Sequence, residues 1–296
     1  MTQAERAEAS EANAPAEIVG DGFAAQVVLS TLNQRIQVLS YEAEKPWAMV
    51  SDLADKAREA GFGKVFLKAP ASDRSRLVEA GMCAEATIVG YFAGQPADVM
   101  SLFLNEERRL RPHSVDQNAI LEKIRERPVD SSVPELPDGY EMFPGGLRDA
   151  SEIARLYAEV FASYPFPITD PEYIVSTMKS NVSYRIVRDA NGVLVGAASA
   201  ETNPRLRNAE MTDFATLPGQ RGLGLAQYIL AALEDDMAER EILNLYTIAR
   251  ARSAGMNRVF YNRGYEWTGT LVNNCHIAGQ FEDMHVWCKS LRTVVH

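Results

Sequence analysis

Apolar residues along this chain recur with two periods, and the switches between them fall at glycines, prolines and polar clusters. Short alternating or continuously apolar runs read as strands at 24–29, 36–41, 64–67, 84–92 and 99–104. Met49, Leu53 and Ala57 instead recur at helical spacing, which predicts a helix over 47–60 closed by Gly61-Phe62-Gly63. A second helix is expected over 72–80. The first third of the chain thus reads strand, strand, helix, strand, helix, strand, strand.

Residues 105–138 break that rhythm. Glu106, Glu107, Arg108, Arg109 and Arg111 cluster as a solvated face, 116–127 is a helix candidate, and Pro128, Pro134 and Pro137 interrupt the residues after it. The stretch reads as a linker carrying one helix. Beyond it the pattern gives a strand at 140–143 and a helix at 147–161 with Ile153, Leu156, Tyr157 and Val160 on its apolar face. Pro171, behind Thr169 or Asp170 as cap, opens a helix at 171–180. Strands at 182–187 and 193–201 flank Arg188-Asp189-Ala190-Asn191-Gly192, a hairpin turn. A strand at 243–248, a helix at 253–263 and strands at 266–273 and 282–290 finish the chain. Tyr164-Pro165-Phe166-Pro167-Ile168 stands apart: two prolines bar a helix, yet the aromatic area exceeds what a surface turn needs. Tyr164 and Phe166 are therefore candidates to line or cover a pocket.

The sharpest local signal spans 210–240. Met211, Asp213 and Ala215 alternate with Thr212, Phe214 and Thr216 in a strand that Pro218 ends. Arg221-Gly222-Leu223-Gly224-Leu225-Ala226 then opens a helix whose apolar face is Ala226, Ile229, Leu230, Leu233 and Met237. The first N–H groups of a helix lack partners and sit in positive potential, and glycines let a diphosphate approach the backbone closely. The run is neither the dinucleotide fingerprint nor the nucleoside-triphosphate loop.

Charge narrows the classes. The formal net charge is −10, which argues against a general affinity for nucleic acid or anionic membranes. No apolar run is long enough for a bilayer-spanning helix, and the acidic N-terminus lacks the apolar core of a secretory signal. Three scattered cysteines suit reduced thiols in the cytoplasm, and the four histidines show no metal-ligand spacing, so no metal is expected.

The order Thr216-x-Pro218-x-x-Arg221-Gly222-x-Gly224-x-Ala226 resembles the coenzyme A loop of the GNAT acyltransferases. That resemblance implies an α/β (α+β) chain with the GNAT fold, a mixed sheet splayed between the strand at 211–216 and that at 243–248. It implies acetyl-CoA as acyl donor, its pantetheine arm in the gap. The amides of Gly222, Leu223, Gly224, Leu225 and Ala226 would hold the diphosphate, Arg221 would add charge, and the backbones of Phe214 and Thr216 would pair with pantetheine. The family's acid, a Tyr four residues before Gly264, is replaced here by Phe260, with Tyr261 next to it. Asn257 stands one turn beyond Ser253, where the family often has Asn. Glu210 and Asp213 are the candidate bases. Their odd spacing puts them on opposite faces unless a bulge intervenes; Glu210 is preferred, and Asp213 is an alternative holder of an ammonium group.

The segments Tyr164–Ile168, Met211–Pro218, Leu245–Ala251 and Gly269–Asn274 together resemble the β-lysine N6-acetyltransferase family. This implies direct acetylation of the terminal amine of β-lysine or a similar small diamino acid, giving a compatible solute for osmoadaptation. Arg250 or Arg252 is then a candidate clamp for the substrate carboxylate, and Asn273 and Asn274 offer paired amides. A homodimer is compatible with this reading. Two other readings stay open: a protein or peptide N-acetyltransferase, and a non-catalytic acyl-CoA sensor.

The expected layout is a disordered tail at 1–17, a smaller α/β domain at 18–104, the linker at 105–138 and a catalytic domain at 139–296. The element order of the smaller domain repeats that of the catalytic one, and residues 76–82 resemble the end of the GNAT fourth helix, but no glycine loop precedes Trp47. It reads as a degenerate GNAT-like half or as an unrelated α/β domain, with a role in packing or dimerisation.

Overall fold

The computed structural model describes residues 15–132, 135–277 and 279–291. Its first half comprises β1 (Pro15–Gly20), β2 (Phe23–Ser30), β3 (Arg35–Ala43), α1 (Pro46–Glu59), β4 (Lys64–Pro70), α2 (Arg74–Glu79), β5 (Cys83–Phe92) and β6 (Gln95–Phe103). Two helices come next, α3 (Glu106–Arg109) and α4 (Ser114–Arg125). The second half comprises β7 (Glu141–Gly145), α5 (Ala150–Val160), α6 (Pro171–Met178), β8 (Val182–Arg188), β9 (Leu194–Asn203), β10 (Asn208–Thr216), α7 (Leu225–Glu239), β11 (Asn244–Arg250), α8 (Ala254–Asn262), β12 (Glu266–Ile277) and β13 (Gln280–Ser290).

The periodicities translate directly into faces. Ile36 and Val38 of β3 and Val65 and Leu67 of β4 enter one apolar core with Met49, Leu53 and Ala57 of α1. Their neighbours Arg35, Gln37, Phe66 and Lys68 alternate onto the other face of the sheet. In α7 the buried stripe is Leu225, Ile229, Leu230, Leu233 and Met237. Leu225 takes the place expected for Ala226, which is only half-buried.

Among the described residues all strands join one mixed sheet of 13, ordered β1-β2-β3-β4-β6-β5-β12-β13-β11-β10-β9-β8-β7. Read outward from the β5–β12 seam, both halves show the same series of pairings: two antiparallel, one parallel, then antiparallel to the edge. The first half has one strand fewer. Its parallel pair, β3 with β4, corresponds to β10 with β11.

The seam itself is narrow. Gly269 pairs with Ala86, and a Cβ at Gly269 would stand 2.3 Å from the Glu85 carbonyl oxygen, so this approach requires glycine. Lys64, 0% exposed, bonds Glu85 at 2.7 Å and the Val272 carbonyl at 2.9 Å, while the other Glu85 oxygen accepts the Val272 N–H at 2.7 Å. An apolar cluster spans both halves, with Phe66, Ile88 and Val99 on one side and Tyr246, Leu271 and Val286 on the other.

Three local readings change. The tail expected at 1–17 lies outside the described residues up to 14, and Pro15-Ala16-Glu17 already belong to β1, paired with β2. The linker holds α3 in addition to the expected helix, because Asn105 caps it by accepting the Arg108 N–H at 2.8 Å. The linker is also bound rather than solvated alone: Arg258 of α8 donates to the carbonyls of Ile124 and Pro128.

Candidate active site

Strands β10 and β11 are parallel neighbours only at Asn208, Ala209 and Glu210, opposite Asn244, Leu245 and Tyr246. Past Glu210 the two strands separate. The β11-facing edge from Met211 to Thr216 is left without a strand partner, while the β9 side stays paired. Glu210 therefore sits at the fork of the splay.

Beyond the strand, Gly222 and Gly224 adopt φ of 87° and 75°, the left-handed region open to glycine. The first bonds of the next helix are made by the Gln227 and Tyr228 N–H groups to the Gly224 carbonyl. Among the described residues the amides of Gly222, Leu223, Gly224, Leu225 and Ala226 donate to no backbone carbonyl. A Cβ at Gly222 would meet nothing within 4 Å, so the cradle is open, and Arg221 is exposed beside it. Unpaired amides at a helix start, next to an unpaired strand edge, are an arrangement suited to an anion.

On the other side of the fork lies a cavity of about 310 Å³. Glu210 and Glu201 stand directly opposite each other on β10 and β9, so their carboxylates share the cavity-facing side. The register shifts between Thr212 and Ala215, and Asp213 takes φ 56° in that bulge. Without the bulge Asp213 would point away from Glu210. With it, Asp213 accepts the Tyr164 hydroxyl at 2.6 Å and the Ser199 hydroxyl at 2.7 Å. Ser199 pairs with Thr212 and is two residues from Glu201, so Asp213 joins the acidic face.

Burial raises all three of these acids. Burial, then the charges of Glu210 and Asp213, push the Glu201 carboxyl up to about 8. Glu201 borders the open cavity, so solvent still reaches part of it while protein surrounds the rest. Burial also raises Glu210, opposed by Lys68 and by a hydrogen bond with Tyr246. Burial raises Asp213, opposed by its bonds from Tyr164 and Ser199. Among the described residues no group of three or more His, Cys, Asp or Glu is arranged to hold a metal.

The opposite wall comes from the first half. Arg35, Gln37, Phe66, Lys68 and Tyr91 line the cavity across from Glu201 and Glu210. The sequence points to packing or dimerisation for the first half; its position here adds a share in the pocket. Tyr164 and Phe166 line the same cavity as expected, and Tyr164 packs on Phe161 with ring centroids 4.8 Å apart. Asn274 also lines it, with its carbonyl accepting from Arg35.

Four expected site residues are committed elsewhere. Asn257 is fully buried; it donates to the Arg250 and Ser253 carbonyls and accepts the Trp287 indole N–H at 2.7 Å, leaving no group for coenzyme A. The Tyr261 hydroxyl lies within hydrogen-bond distance of the Arg125 and Arg127 carbonyls in the linker, to one of which it donates, so it is set aside as the acid. Arg250 pairs with buried Glu282 at 3.1 Å and does not line the cavity. Asn273 ties its amide to the Arg108 and Leu110 carbonyls and borders a different surface pocket. In each case the side chain satisfies a carbonyl or charge brought close only by folding. Sequence reasoning missed Glu201, Arg35 and Lys68. The available signal was the alternation of β3 and β4, which sets Arg35, Gln37 and Lys68 opposite the core face.

A profile of the Acetyltransferase (GNAT) family matches residues 152–265. N-acetyltransferase YodP of Bacillus subtilis is 36% identical over 93% of this chain and 98% of its own length. Two proteins named Beta-lysine N(6)-acetyltransferase are similar as well. That of Methanococcus maripaludis is 34% identical over 89% of this chain and 95% of its own, and that of Methanosarcina mazei 35% over 78% and 92%. With the amide cradle, the splayed strands and these relationships together, the chain belongs to the acetyltransferase (GNAT) family, as an N-acetyltransferase that uses acetyl-CoA as acyl donor.

Proposed function

We propose that the chain transfers an acetyl group to the terminal (N6) amine of β-lysine, or of a similar small diamino acid, by direct attack in a ternary complex. The observation that carries this reading is the Glu201–Glu210 pair at the fork of the splay, facing a cavity of small-metabolite size. The names of two relatives support the acceptor.

The open amides from Gly222 to Ala226 would hold the donor's diphosphate, with Arg221 beside it, and the free edge near Phe214 and Thr216 would take the pantetheine arm. Bound there, the donor supplies an activated acyl carbonyl. The chain's own residues then handle the acceptor. A free amine has a pKa of about 10, so it must lose a proton before it attacks. Glu210, at the fork, takes that proton. Glu201, pushed up to about 8 by burial and by the charges of Glu210 and Asp213, stands directly opposite it on β9. Asp213 fixes Tyr164, and Tyr164 with Phe166 covers the cavity. The product loses one positive charge and becomes a neutral zwitterion, the property of a compatible solute.

Thiol release from acetyl-CoA, measured with β-lysine, α-lysine and ornithine side by side, tests this. The expected order has the highest kcat/KM for β-lysine, and Glu210→Gln lowers kcat by about 10²–10⁴-fold. Release with none of the three sinks the acceptor assignment. An undiminished rate in Glu210→Gln removes that residue as base.

A further inference from the structure

Across the cavity from the acids stand two cations with no salt-bridge partner among the described residues. Lys68 donates to the Tyr246 hydroxyl at 3.1 Å and lies 5.0 Å from the ring centroids of both Tyr91 and Tyr246. An ammonium has three donors, and a phenol uses one of them. Arg35, 4% exposed, donates to the Asn274 carbonyl, to the Cys275 sulfur at 3.6 Å and to the Gln37 amide at 3.4 Å, while its guanidinium lies 4.5 Å over the Phe66 ring. Its Nε has no partner. Both cations act on Glu210 across the cavity, yet among the described residues neither is in salt-bridge contact with an acid, although the chain carries a net charge of −10. Lys64, on the same strand as Lys68, shows the contrast: it is buried and matched with Glu85.

A positive charge that rests on aromatic faces and has no carboxylate in contact is only partly compensated. A carboxylate is the group that completes it, since it accepts several hydrogen bonds and cancels the charge. The cavity thus has an acidic wall on β9 and β10 and a basic wall on β3 and β4. That polarity matches a zwitterion whose amine and carboxylate lie at opposite ends.

We infer that Arg35 and Lys68 form the carboxylate subsite for the acceptor, so that the first half of the chain makes the enzyme select amino acids over plain diamines. The inference rests on the acetyl-transfer reading of the same cavity. Both cations come from outside the segment matched by the family profile, residues 152–265.

The test compares β-lysine with its decarboxylated counterpart, a diamine with the same spacing between nitrogens, in full-length wild type, Lys68→Met, Lys68→Arg and Arg35→Gln. In the wild type, kcat/KM is expected to favour the amino acid by about a hundredfold, the scale of leaving a buried charge unpaired. Lys68→Met and Arg35→Gln each reduce that ratio about tenfold or more, mainly through KM for the amino acid, and Lys68→Arg restores most of it. A ratio within one variant cancels losses from partial misfolding. Equal turnover of both amines by the wild type, or a ratio unmoved in both variants, overturns the subsite. Titration calorimetry of the two amines against the chain saturated with coenzyme A separates this from failure of the catalytic reading. Absence of thiol release with either amine defeats catalysis, and the subsite then stands if the amino acid binds more tightly and Lys68→Met abolishes the preference, and falls if it does not.

Discussion

Surrounding protein and two neighbouring acids push the Glu201 carboxyl up to about 8, although the residue as a whole is exposed and solvent screens part of this effect. An ordinary glutamate titrates near 4.5, so between 4.5 and 8 the folded chain binds more protons at this site than the unfolded chain. The stability contributed by the protonated carboxyl is thus present at low pH and lost as pH rises through about 8. Glu201→Gln, which keeps the shape and removes the titration, is expected to flatten the fall in melting temperature over this window. A slope identical to wild type would place the shifted group elsewhere. The same residue shows what the sequence withholds. Glu210 is visible because it lies on the strand that leads into the glycine loop, whereas Glu201 gains meaning only from its register opposite Glu210. Asn257 fails in the reverse direction: an amide at a suggestive position is consumed by Trp287 and two carbonyls.

At the scale of elements, the strand–loop–helix from Asn208 to Glu239 was legible because each part has a local cause. Pro218 ends the strand, two glycines supply the left-handed turns, and the apolar stripe of α7 has helical spacing. The bulge at Asp213 was only conditional in the sequence, since the extra residue is defined against β9. The start of β1 reads as tail in the sequence, and its exposed first three residues fit an edge strand that has one neighbour and little to bury. The loop offers a clean test. At Gly222 a Cβ meets nothing, so Gly222→Ala acts through its φ of 87° alone, at a cost of about 1–2 kcal/mol. The expected result is a rise in KM for acetyl-CoA of about tenfold with kcat largely kept at saturation. An unchanged KM would mean that the cradle does not hold the donor.

At the scale of the molecule, two similar sets of strand pairings share one sheet, and their junction is filled by Phe66, Ile88 and Val99 against Tyr246, Leu271 and Val286. A buried pair, Lys64–Glu85, crosses to Val272 at the same place. Separation of the halves would expose this cluster and strand that pair, so calorimetry is expected to show one unfolding transition for the full chain. Two resolved transitions would mean the halves fold independently. The repeated element order was readable in the sequence, but the docking of the halves was not, because it depends on contacts such as Gly269 with Ala86. The two-sided cavity has a further consequence. Its basic lining is encoded early in the chain and its acidic lining late, so a lineage can drift toward new acceptors in one stretch while purifying selection preserves the transfer step in the other.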